Sequence, residues 1–196
     1  MAVDPSLAAA EELGEWARMV ASGARADGAA RGMLRLLDPR SMHVTLCFLA
    51  SRPVGEIDAL ADALGTCPAL PFELSVGAPQ WLPPRRARAL AVEVHDRSGE
   101  LARTQERVSA ALAGASSWQP ERRRFRPHIT LARVRQGAGR GARAADRAAR
   151  ARPLPPTPRL SFTPDAIVLY RSWLAPEGAS YEAIVSRALA GEPTDG

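Results

Sequence analysis

The sequence contains three histidines, and two of them open matching tetrapeptides: His43-Val44-Thr45-Leu46 and His128-Ile129-Thr130-Leu131. Imidazole, with an ordinary pKa of about 6.5, can donate or accept a proton at neutral pH. A threonine two residues further on adds a hydroxyl able to donate to an anionic oxygen. With 7 Thr and 21 Leu in 196 residues, two such tetrapeptides among three histidines arise by chance at roughly 1 in 20,000, so the repetition points to a duplicated piece of structure.

The apolar segments Met42 to Leu49 and His128 to Val134 both read as strands. Successive strand side chains point to opposite faces. His43 and Thr45 therefore share one face, with Val44, Leu46 and Phe48 on the other. His128 and Thr130 share a face over Ile129 and Leu131. Two imidazole–hydroxyl pairs facing across a cleft could hold a phosphodiester between an acid and a base. Near-identical motifs do not tell the acid from the base. For Thr45 and Thr130 the plainer reading is β-branched strand filling, and the adjacent histidines argue for contact with phosphate oxygens. Strict alternation puts Arg133 on the Ile129 and Leu131 face, at the strand end and outside the site. His95, followed by Asp96 and without a Thr partner, reads as a strand-end surface residue. Trp81, Trp118, Tyr170 and Trp173 could stack on a base, although packing is the ordinary role of each.

The elements that must position these groups follow from periodicity and punctuation. Asp4-Pro5 predicts a helix start, with Leu7, Ala10, Leu13, Ala17 and Val20 at helical spacing. Gly23 and Gly28 bracket a loop, Arg31 to Leu37 reads as a strand, and Asp38-Pro39 as a turn. Pro53 opens a helix with its stripe at Ile57, Leu60, Ala61 and Leu64. Pro71 to Val76 reads as a short strand, Trp81 to Pro84 as a rigid connection, and the Leu90 to Val94 alternation as another strand. Ser98 to Ala113 is helical, Gln136 to Pro158 a long loop, and Arg159–Phe162, Ala166–Arg171 and Tyr181–Ala188 are strands. The order predicts an α+β protein: a two-lobed, duplicated fold with mainly antiparallel sheets around a central cleft and helices outside. The length suits a single domain over residues 1–196.

Composition narrows the partners. The net charge of +5 is uneven: residues 121–159 hold 12 Arg against Glu121 and Asp146, a balance of +10, and the remainder sums to −5. Every basic residue is Arg, and the guanidinium fork suits phosphate. The same composition also follows from a GC-rich coding sequence. Arg122, Arg123, Arg124 and Arg126 could steer RNA or form a solvated face. Cys47 and Cys67 belong to no CxxC pair, and the two motif histidines lack the Cys or carboxylate company of a zinc site, so neither metal nor other cofactor is expected. No apolar run could cross a bilayer and no secretory leader is visible. A cytoplasmic monomer without membrane contact is the expectation.

The two HxTL motifs resemble those of the 2H phosphoesterase superfamily. So do the string Phe125-Arg126-Pro127-His128-Ile129-Thr130-Leu131-Ala132-Arg133, the segments Met42–Leu49 and Arg86–Val94, and Val168-Leu169-Tyr170-Arg171-Ser172 followed by Tyr181-Glu182. Within the superfamily the chain is similar to the bacterial and archaeal RNA 2′,3′-cyclic phosphodiesterases, historically called 2′-5′ RNA ligases. The resemblance implies hydrolysis of an RNA 2′,3′-cyclic phosphate end, or of a cyclic nucleotide, to a 2′-phosphate. It implies His43 as proton donor to the leaving 3′ oxygen, His128 as proton acceptor from water, and Thr45 and Thr130 on the phosphate. Members begin with a fuller apolar strand than Met1-Ala2-Val3, so either the start is truncated or the first strand is very short. Two other readings stand beside this one: an RNA- or nucleotide-binding module without turnover, and 2′-5′ ligation at the same site. Without lysine to adenylate, ligation would be an ATP-independent reversal of hydrolysis.

Overall fold

The computed structural model describes residues 1–26, 34–84, 87–135, 153–175 and 178–189. Within them lie nine strands and three α-helices: β1 (Ala2–Val3), α1 (Leu7–Ala26), β2 (Leu34–Leu36), β3 (Val44–Thr45), α2 (Ile57–Thr66), β4 (Leu74–Leu82), β5 (Ala89–His95), α3 (Glu100–Ala115), β6 (His128–Val134), β7 (Ser161–Phe162), β8 (Ala166–Ala175) and β9 (Gly178–Ala188). Every pairing among these strands is antiparallel. The order across the sheet is β7-β4-β5-β6-β3-β1-β8-β9, with β2 also paired to β6. The sheet curls into a half-barrel, giving the expected two-lobed α+β fold.

The duplication shows in that order. The two motif strands, β3 and β6, are immediate neighbours at the centre, where the lobes meet. Beneath them lies the core: Val3, Val44, Leu90, Val92, Ile129, Leu131 and Ile167 are all wholly buried. Burying one such side chain stabilises the fold by roughly 1.5–3 kcal/mol. Helix α1 covers β2 and β6 through Ala10, Leu13 and Ala17, the expected stripe, while α2 packs on α3 and β9 through Leu60 and Leu64. The short first strand β1 sits between β3 and β8, so three apolar residues suffice to join the lobes.

Several boundaries differ from expectation. Helix α1 begins two residues late: Ser6, not Asp4, is its cap, with Ser6 Oγ accepting from Ala9 N at 3.4 Å. Asp4 is instead drawn across the sheet to accept from the Tyr170 hydroxyl. Gly23 lies inside α1 and opens no loop. Strand β4 runs Leu74–Leu82, so Trp81 and Leu82 are ladder residues opposite Leu90 and Ala89, not a connection. The expected strand at residues 42–49 contracts to Val44–Thr45, because the N–H groups of Leu46 and Cys47 both donate to the Met1 carbonyl, at 2.9 and 3.2 Å. Leu46 and Cys47 are both buried in succession, and alternation shifts by one. Phe48, expected on the buried face, is 64% exposed. Of the expected strand at 31–37 and the Arg-rich loop at 136–158, residues 31–33 and 136–152 lie outside the described residues, as do Gly28 and Arg86.

Candidate active site

Strand pairing brings the two motifs together. Val44 lies opposite Ile129 in the β3–β6 ladder, and antiparallel continuation of that register sets His43 across from Thr130 and Thr45 across from His128. All four side chains line one cleft of about 780 Å³. Val44 and Ile129 point the other way, each fully buried, so the cleft face of the two strands is anchored from behind at its centre.

Each imidazole is held in the same manner. His43 Nδ1 donates to the Ser41 carbonyl at 3.0 Å, and His128 Nδ1 donates to the Arg126 carbonyl at 2.8 Å. A carbonyl can only accept, so Nδ1 carries the hydrogen and Nε2 remains for proton exchange in the cleft. The carbonyl lies two residues before the histidine in both motifs. Arg126, one of the arginines considered for RNA steering, thus contributes its backbone here, and its side chain, like those of Arg122, Arg123 and Arg124, is exposed.

The surroundings of His43 are the more enclosed. The Tyr181 ring meets it edge-on at 4.9 Å between centroids, and the Tyr170 ring lies at 5.9 Å. Burial pushes the His43 pKa below its ordinary value, the hydrogen bond to the Ser41 carbonyl opposes this, and the N-terminal amino group and Arg133 act in the same direction as burial. Burial also pushes the Cys47 thiol, another cleft residue, up to about 11. It therefore remains a thiol at neutral pH and is no nucleophile.

Arg133 corrects the reading from strict alternation. Leu90 pairs with Ala132 but Ala91 pairs with Thr130, so Leu131 is an extra residue in β6. Leu131 and Ala132 are both buried, and the bulge turns Arg133 onto the cleft beside Thr130. Arg35, Arg88 and Phe48 also line the cleft and were not read as site residues from the sequence, and Tyr181, which entered there only as part of the resemblance, lines it too. The signal for Phe48 and Arg133 lay in the repeat itself, since each falls five residues after its motif histidine.

The remaining candidates separate cleanly. His95 ends β5, exposed, with Glu93 at 3.8 Å. Trp118 is buried and donates to the Phe48 carbonyl at 3.1 Å. Trp173 is 40% exposed beneath Arg171, whose Cζ lies 4.4 Å from the ring centroid, and Trp81 is half-buried in β4. Of the four aromatic candidates, Tyr170 is the one that reaches the cleft. Among the described residues, no three of His, Cys, Asp and Glu converge as metal ligands, and no helix is long and apolar enough to cross a membrane.

Solved structures of the same architecture exist. TT0787 of Thermus thermophilus superposes with a TM-score of 0.70 at 22% identity, covering 97% of both chains. E. coli LigT complexed with 3′-AMP gives 0.71 at 22% identity over 97% of this chain and 96% of that one. LigT complexed with ATP gives 0.69 at 23% identity with the same coverage. No curated protein matches the sequence. The sequence model of the 2′-5′ RNA ligase superfamily matches residues 6–173, the span that carries both motifs and the strands holding them. The chain belongs to that superfamily, the 2H phosphoesterases.

Proposed function

We propose that this phosphoesterase opens the 2′,3′-cyclic phosphate of an RNA or nucleotide end to a 2′-phosphate, with His43 as proton donor and His128 as proton acceptor. The observation that carries the reading is the pair of imidazoles that β3 and β6 present to one cleft, each with Nδ1 tied to a carbonyl. In-line displacement needs a base and an acid on opposite sides of phosphorus, and a phosphodiester held between the two imidazoles would have both. His128 Nε2 takes a proton from water as the water oxygen bonds to phosphorus. The bond from phosphorus to O3′ breaks, and O3′ takes the proton from His43 Nε2. Thr45 and Thr130 donate to the non-bridging oxygens, where charge builds up.

The choice of O3′ as leaving group, and with it the order of the histidines, rests on the family resemblance. The relatives' nucleotide ligands, 3′-AMP and ATP in LigT, support a nucleotide in the cleft. The lowered pKa of His43 is compatible with a donor, because an anionic phosphate beside the ring favours its protonated form.

The test is incubation with a nucleoside 2′,3′-cyclic phosphate in the presence of EDTA, with products identified by phosphorus NMR. Accumulation of the 2′-phosphate is expected. A dominant 3′-phosphate would reverse the substrate orientation, and no turnover of either nucleotide or RNA ends would replace the enzyme with a binding module.

A further inference from the structure

The cleft holds more positive charge than one phosphodiester requires. Arg35 and Arg133 are directly opposite in the β2–β6 ladder. Arg133 is also opposite Ala89 in the β5–β6 ladder, next to Arg88. The Arg88 backbone is fixed on both sides, its N–H donating to Leu82 O at 2.7 Å and its carbonyl accepting from Val134 N at 2.8 Å. All three arginines line the cleft, and no Asp or Glu among the described residues does. None of the three is in an ion pair among the described residues. Three arginines on neighbouring strand positions of one cleft, with no carboxylate among its described lining residues, favour a multiply charged anion there.

Arg35 and Arg88 stand away from the reacting centre, and Arg133, whose charge reaches His43, lies between. The histidines and threonines lie along the β3–β6 seam, whereas Arg35 and Arg88 flank β6 on β2 and beside β5. Thr130 and Arg133 are three residues apart on β6, on the order of 10 Å of strand. Guanidinium forks at that distance suit a second phosphate.

We infer that Arg35 and Arg88 form a subsite for a second phosphate of the substrate, distinct from the one that reacts, with Arg133 bridging the two. This inference rests on the proposed cyclic-phosphate reading for its polarity. A 2′,3′-cyclic phosphate uses both ribose hydroxyls of the terminal nucleotide, so any further phosphate must lie on its 5′ side. The substrate class is then an oligonucleotide end, or a nucleotide carrying a 5′-phosphate, in preference to a bare nucleoside cyclic phosphate.

Equilibrium binding tests this without requiring turnover. Calorimetry compares a nucleoside 2′-monophosphate with the 2′,5′-bisphosphate of the same nucleoside, in wild type and in Arg35→Gln and Arg88→Gln. The wild type should bind the bisphosphate at least about tenfold more tightly, the effect of one added charge-assisted contact. Each variant should bring that ratio toward one. A wild-type ratio near one, or variants that weaken both ligands equally, would overturn the subsite. Failure of the hydrolytic reading would instead appear as absent turnover with the binding ratio intact.

Discussion

Phe48 and Arg133 occupy equivalent places in the two halves of the cleft, each five residues beyond its motif histidine. Each reaches the cleft because an extra residue interrupts the strand before it: the paired Leu46 and Cys47 N–H groups on one side, and the Leu131 bulge on the other. The lobes therefore share their His-x-Thr pairs and differ at this position, where one presents an aromatic ring and the other a cation.

The motif histidines should be indispensable and the third one dispensable. A general acid or base step contributes typically 10²–10⁴-fold, so His43→Ala and His128→Ala should each lower kcat by at least about 10². If both act in one concerted step, the double variant should fall well short of the product of the two losses. His95→Ala, at the exposed end of β5, should stay within about twofold of wild type. Steady-state kinetics on a cyclic nucleotide decides this, and an inactive His95→Ala beside an active His128→Ala would overturn the assignment.

Much of this was legible in the sequence because it depends on local alternation. The imidazole and hydroxyl of each motif share a face, as period-2 geometry requires, and the apolar residues between them are buried. What was not legible depends on interruptions of that period. Phe48 and Arg133 both fall on the buried face by strict alternation, and in both cases an insertion reverses the assignment. Such insertions are set by the partner strand, here β1 for Leu46 and Cys47 and β5 for Leu131, and the strand's own residues do not announce them. The role of Asp4 is hidden for a similar reason, since its partner Tyr170 lies 166 residues away. Asp4-Pro5 looks locally like a helix start, and a distant hydroxyl outweighs it.

The pH dependence should differ between free and bound enzyme. As donor, His43 must be protonated, and burial in the empty cleft lowers its pKa. The profile of kcat/KM reports the free enzyme, and that of kcat the complex. The alkaline limb of kcat/KM should therefore fall below the ordinary histidine value of about 6.5, and the alkaline limb of kcat should lie higher because the bound phosphate favours imidazolium. Arg133→Gln removes a nearby positive charge and should move the kcat/KM limb to higher pH. A kcat/KM limb above that of kcat would argue that His43 acts unprotonated, as the base.

The half-buried pair of Asp4 and Tyr170 gives a stability prediction with a definite sign. Asp4 Oδ2 accepts from the Tyr170 hydroxyl, while Asp4 Oδ1 is buried without a partner among the described residues. Burial raises the Asp4 pKa, and the tyrosine hydrogen bond only partly opposes the rise. A carboxyl with a raised folded-state pKa is most stabilising when protonated. Its contribution is fully present below the unfolded value of about 3.9 and is lost as pH climbs through the folded value. At neutral pH the carboxylate is thus a liability that an amide would remove while keeping an oxygen for Tyr170. Asp4→Asn should raise Tm at pH 7 relative to wild type, and the advantage should shrink toward pH 4. Tyr170→Phe should do the reverse, stripping the carboxylate of its donor at a loss of about 1–3 kcal/mol, with the larger loss at pH 7. Thermal melts of the three proteins across that range measure both effects. An Asp4→Asn protein that is less stable at pH 7, by more than at pH 4, would show that the charged carboxylate supports this join between β8 and the chain entering α1.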